Sequence, residues 1–146
     1  MTEKPCSCGS NEPKRIIFPC AGQLTNLAAR QLTEEGYGSI ACCSLLAIGA
    51  EGLITNAKNA AEVLILDGCP MLCAKKLAEA QGIPVGQHLV MTELGITKGP
   101  SKSYTPDDIE KIVSACWKGE GKMKDAEPAK KKSGGKNNGC GCGGTC

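Results

Sequence analysis

The chain has 146 residues, of which 41% are apolar and 22% charged, and a formal net charge of +2. That is the size and balance of one globular domain able to bury a core. One Trp, two Tyr and one Phe leave that core to aliphatic side chains. No run approaches the roughly 20 apolar residues a bilayer span requires, and residues 1–10 carry no apolar leader. Membrane insertion and secretion are therefore set aside, and a cytoplasmic protein is expected.

Residues 1–13 are polar and read as a flexible segment carrying Cys6-Ser-Cys8. The body is expected over 14–118. Its first strand is 15–18, followed by a helix over 25–35 that stops at Gly36. A second strand covers 39 to 42 or 43, and a helix over about 56–61 leads to Val63-Leu-Ile-Leu66. That uninterrupted apolar run suits a central strand buried on both faces. A helix over 70–80 has Pro70 in its first turn and ends at Gly82, and a fourth strand lies near 87–91. Thr105-Pro-Asp-Asp-Ile-Glu110 combines a hydroxyl cap, an early Pro and first-turn acids, opening a last helix that runs to about Trp117. The alternation predicts an α/β, doubly wound (Rossmann- or flavodoxin-like), mostly parallel four-stranded sheet with flanking helices. From Gly119 the composition changes. Residues 119–146 hold six Lys against three acids, whereas 1–118 hold 11 basic and 12 acidic side chains. Rich in Gly, Lys and Cys and poor in large apolar residues, 119–146 read as a disordered tail.

The chain contains 11 cysteines, and without a secretion signal these point to metal or redox chemistry rather than a disulfide framework. Cys20 follows the first strand, Cys42 and Cys43 close the second, and Cys69 follows the third. Cys73 stands four residues after Cys69, on the same side of a helical first turn. Neighbouring strands lie about 4.8 Å apart and Zn–S bonds are about 2.3 Å long. The sulfurs are therefore expected to converge on a shared metal or redox site. Helix N-termini beside them favour thiolates. Gly22 and Gly68 let loop backbone approach the sulfurs and donate N–H groups.

Cys116 reads as core and His88 as an ordinary strand residue. Cys140-Gly-Cys142, with Cys146, and Cys6-Ser-Cys8 suit soft-metal chelation, reversible disulfides or simple exposure. The stretch Cys20-Ala-Gly-Gln-Leu-Thr-Asn26 lacks a phosphate-loop Lys, and Asn26 stands where a cysteine phosphatase needs Arg. No CxxC is present, and Lys130-Lys-Lys132 is too short to argue for nucleic acid.

The motif Asp67-Gly-Cys-Pro70, with Met71-Leu-Cys-Ala-Lys-Lys76, resembles the DGC-domain family, as do Cys20 after the first strand, Leu27-Ala-Ala-Arg-Gln-Leu32, Ile48-Gly-Ala50 and Gly95-Ile-Thr-Lys-Gly99. The likeness spans roughly 15–115. It implies an α/β body with four metal-chelating cysteines, Cys20, one of Cys42 or Cys43, Cys69 and Cys73, and zinc as the cofactor. Cys43 is favoured because it lies further toward the strand end. The adjacent Cys42-Cys43 pair and the Cys-bearing tail depart from the family pattern. The leading expectation is a zinc-binding protein whose four-thiolate site has a structural or metal-holding role. A closed shell leaves no position for water, which disfavours hydrolytic zinc catalysis. The alternative is a thiol redox or iron–sulfur electron-transfer protein using the same cysteines. A third reading makes the tail a shuttle that loads the body site. The expected partner is a metal ion, with neither nucleic acid nor membrane, and the sequence does not say which protein, if any, is a partner.

Overall fold

A computed structural model describes residues 15–100 and 103–123. The expectations for residues 1–13 and for the tail beyond 123, with Cys6, Cys8, Cys140, Cys142 and Cys146, lie outside the described residues.

Four strands, β1 (Ile16–Pro19), β2 (Ser39–Ile40), β3 (Val63–Asp67) and β4 (Gln87–Val90), form one parallel sheet in the order β2-β1-β3-β4. Every residue of β3 is buried, as a strand covered on both faces requires. Alternation along the strands divides the core in two. Ile17, Leu64, Leu66 and Leu89 lie with buried residues of α1 (Gln23–Glu34) and α5 (Pro106–Trp117). Phe18, Val63 and Ile65 lie with residues of α2 (Cys43–Ala47), α3 (Glu51–Asn59) and α4 (Cys73–Ala80). The chain is therefore an α/β fold with helices on both faces of a parallel sheet. At the end of the sheet opposite Cys20 and Cys69, Arg15 pairs with Glu62 and stacks over the Tyr37 ring at 4.0 Å, tying the starts of β1 and β3 together. No helix among the described residues is long and apolar enough to cross a membrane.

Five local expectations change. The second strand stops at Ile40, and Cys43 opens α2, because Leu46 turns inward to a buried position that a continuing strand does not reach. The next helix starts at Glu51 rather than 56, since Leu53, Ile54 and Ala57 present one face to the core. Pro70 lies in a turn, and α4 begins only at Cys73, after Leu72 in the left-handed region at φ 55°. Met91 belongs to a 3-10 turn over Met91–Leu94 rather than to β4. The chain after 118 also stays with the body as far as Met123. Lys122 bridges antiparallel to Gln87, His88 N–H donates to Gly121 O at 3.0 Å, and Met123 N–H donates to Gly86 O at 3.0 Å. Gly121, at φ 69°, passes so close that a Cβ there would lie 2.0 Å from His88 O, so no larger residue fits.

Gln87 carries this closure. It is 0% exposed, and its Nε2 donates to Glu120 O at 2.8 Å and Cys116 O at 3.2 Å. Its Oε1 accepts from the Tyr37 hydroxyl at 2.6 Å. Gln87→Leu strips Glu120 O of this donor, while the Tyr37 hydroxyl and Cys116 O keep each other at 2.9 Å, and is expected to cost about 1–2 kcal/mol in urea unfolding. Tryptic cleavage after Lys122 should accelerate with it, and unchanged protection there contradicts the assignment.

Candidate functional site at the strand ends

The chain leaves β1 for β2 on one side and enters β3, on the other side of β1, by a later crossover. The crevice beyond the carboxyl ends of β1 and β3 is thus the point where strand order reverses, the usual ligand position in open α/β sheets. Cys20 N–H donates to Leu66 O at 2.8 Å, extending the β1–β3 ladder by one residue. That bond fixes Cys20 at the centre of the rim. Its sulfur accepts from Gly68 N–H at 3.3 Å and lies 3.4 Å from Thr25 Oγ1. A Cβ on Gly22 or Gly68 would stand 3.4 or 3.6 Å from the same sulfur, so both glycines lie directly against it. Thr25, fully buried, and Asn26 bond back to the loop, with Thr25 Oγ1 2.7 Å from Gly22 O and Asn26 Nδ2 2.9 Å from Cys20 O. Asn26 therefore holds the shape of the thiol loop.

The strand order sets Cys42 and Cys43, which follow β2, on one side of Cys20 and Cys69 on the other. Cys20, Cys42 and Cys43 line a cleft of about 410 Å³. Cys20, Cys69 and Cys73 line another of about 760 Å³ between the start of α1 and residues 95–100 and 103–104. Cys20 is common to both. The adjacent thiols differ. Cys42 is exposed, and the hydroxyl of Ser44, with the amides of Ser44 and Leu45, lowers its pKa. Burial, with the charges of Cys20, Asp67 and Cys42, pushes Cys43 up to about 12. Cys69 is half-buried with Lys98 Nζ 3.7 Å from its sulfur, and Cys73 is exposed at the start of α4. Cys116 is buried in the core and pushed up to about 12, chiefly by burial, as its reading as core anticipates.

These donors are soft thiols, and the Gly68 amide faces one of them, a chemistry that fits a soft cation. Their convergence is looser than expected from strand spacing alone. Among the described residues no group of three or more His, Cys, Asp or Glu side chains is close enough together to hold a metal ion. The reason is local. The 69–72 turn and the early start of α2 spread the thiols along the rim instead of stacking them over the strand ends.

Sequence reasoning missed the part of the site that does not involve sulfur. Asp67 is 1% exposed and accepts from Ala74 N–H at 2.9 Å and Lys75 N–H at 3.2 Å, doing for α4 what an N-cap side chain does. His88 Nε2 lies 3.0 Å from its Oδ2. Burial opposes the charge of Asp67, but the His88 and amide hydrogen bonds outweigh it and hold the carboxyl below its usual value. The signal in sequence was an acid ending an otherwise apolar strand.

A family model described as DGC domain matches residues 16–116. The anaerobic and virulence modulator AnvM of Pseudomonas aeruginosa is 27% identical over 108 residues, covering 70% of this chain and 82% of its own length. No solved structure matches the chain.

Two outcomes follow from the geometry. A maleimide at pH 8 should modify Cys42, whose pKa is lowered, well before Cys43, which burial keeps protonated there. Labelling of Cys43 should rise about tenfold per pH unit toward 12. Equal labelling, read by fragment mass spectrometry or in the single Cys→Ser variants, contradicts the burial difference. Asp67→Ala removes the acceptor of two amides at the start of α4 and should cost about 3 kcal/mol in urea unfolding, against a negligible loss if the carboxylate is dispensable.

Proposed function

The chain belongs to the DGC domain family, and on that premise we propose that it is a metal-holding protein whose rim thiols Cys20, Cys43, Cys69 and Cys73 take up one zinc ion. The observation that carries the reading is the placing of Cys20 between two thiol-lined clefts, with the Gly68 amide on its sulfur. N–H donors offset the negative charge that accumulates when thiolates gather around a divalent ion. Cys43 is preferred to Cys42 because its thiol feels the charges of Cys20 and Asp67. A neighbouring cation is what a buried, proton-retaining thiol needs in order to ionise. Closing the shell requires movement of the 69–72 turn, where Leu72 already sits in a left-handed conformation. A four-sulfur shell fixes loops or stores the ion rather than activating water. The reading places the protein in the cytoplasm, where such thiols stay reduced.

One observation favours a second reading, thiol redox chemistry. The sulfurs are spread along an open rim, and free thiols in clefts are available for disulfide exchange.

Elemental analysis of full-length protein purified without added metal is expected to give about one zinc per chain. Cys20→Ser and Cys69→Ser should each lower this to less than about a tenth, because a missing thiolate breaks the shell. Cys42→Ser should leave it unchanged. Metal-free protein with all rim thiols titratable overturns the zinc reading. A brown anaerobic preparation transfers the site to an iron–sulfur cluster.

A further inference from the structure

The larger cleft has features that holding an ion does not use. Its volume of about 760 Å³ falls in the range of small-molecule sites, about 300–1,000 Å³. Its wall is mixed, with apolar Leu24, Met91 and Ile96 beside the thiols. Lys98 is the one cationic side chain among the described residues that line it, and its ammonium is 3.7 Å from the Cys69 sulfur. The one acid there, Asp108, has an oxygen committed to Thr105 N–H at 2.9 Å. The first turn of α1 faces the same space and carries no acidic residue. The cation of the cleft therefore stands beside a thiol, while its acid is turned to a backbone amide.

We propose that this cleft admits low-molecular-weight anionic disulfides and that Cys69 is their thiolation site, with Lys98 holding the anion. The Cys69 sulfur attacks one sulfur of RS–SR. A Cys69 S–SR bond forms as the RS–SR bond breaks, and RS⁻ leaves and takes up the proton the Cys69 thiol has lost. Cys69 is oxidised and one half of the disulfide reduced, so no further oxidant enters. The smaller cleft supplies an internal comparison. Cys42 is exposed there, and no charged side chain is among its lining residues. Reactivity at Cys42 reports general thiol access, while reactivity at Cys69 reports the cleft. The inference does not rest on the zinc reading, but the two share Cys69.

The test compares oxidised glutathione, an anionic disulfide, with neutral bis(2-hydroxyethyl) disulfide, on full-length protein with zinc loaded and with zinc removed. Adducts at Cys69 and Cys42 are followed by peptide mass spectrometry. In the zinc-free protein the rate ratio of glutathione to neutral disulfide should be about threefold or more higher at Cys69 than at Cys42. Lys98→Gln, an exposed substitution, should bring the two ratios together, as should salt near 1 M, where the screening length is about 3 Å. Equal ratios in the native chain, or a Cys69 preference that survives Lys98→Gln, overturn the proposal. Zinc protection of Cys69 from both disulfides is a separate readout, so loss of the zinc site and loss of the anion preference are told apart.

Discussion

A buried carboxylate organises the rim. Asp67 ends β3, the strand between β1 and β4, and from there binds the first amides of α4 and the imidazole of His88 on β4. Three elements thus meet on one side chain that is almost wholly removed from water. A carboxylate in such a place is stable only while its oxygens are bonded, and one left alone would be costly. The bonds it collects are what position α4, and α4 begins with Cys73. The intervening turn, which carries Cys69, has to bridge the fixed end of β3 and the fixed start of the helix. The backbone conformation of Leu72 is a consequence. A left-handed residue with a branched side chain costs roughly 1–2 kcal/mol. It is held by Leu72 N–H on Cys69 O at 3.3 Å and by Lys76 N–H on Leu72 O at 2.9 Å.

Around this anchor the thiols sort themselves by solvent and charge rather than by sequence spacing. Cys42 and Cys43 are neighbours in the chain, yet one faces solvent beside hydroxyl and amide donors while the other packs with the apolar cluster under α2 and α4. Cys69 has an ammonium beside it and Cys73 is exposed. Cys20, held in the β1–β3 ladder, is the fixed point between them. A rim with one rigid thiol and others on turns and helix starts suits a site that closes over what it binds.

Much of this was legible in the residues. The run Val63-Leu-Ile-Leu66 declared a strand buried on both faces, and Thr105-Pro-Asp-Asp declared the start of α5, where the reciprocal Thr105 and Asp108 capping bonds are found. The placing of Gly22 and Gly68 against the Cys20 sulfur also followed from the need for close backbone. The boundaries that moved share a cause: tertiary contacts override local signals. Leu46 draws α2 inward, Asp67 moves the start of α4 past Pro70, and Gln87 holds residues that composition alone assigns to the tail. None of these partners is adjacent in sequence. Asp67 and His88 are 21 residues apart and Gln87 and Glu120 are 33 apart, distances at which pattern reading has no purchase.

The same reasoning explains why counting thiols at strand ends overstates how tightly they gather. Strand spacing governs the backbone positions of residues still in the ladder, and Cys20 alone among the rim thiols continues it by a backbone bond, to Leu66. Past that limit each sulfur follows its own turn. Cys43 follows the demand of Leu46 for burial, and Cys69 follows the strained path from Asp67 to Cys73. On the proposed zinc reading, bringing four sulfurs onto one ion would require work against these local minima, supplied by metal–thiolate bonds, whose free energy becomes folding free energy when the unliganded site is not preformed. A strained Leu72 lowers that work, because relaxing it returns part of the cost of moving the turn. The DGC motif thereby acquires a physical reading. Asp67 fixes the start of α4, Gly68 places an amide on the central sulfur, and Cys69 stands on the turn that joins them.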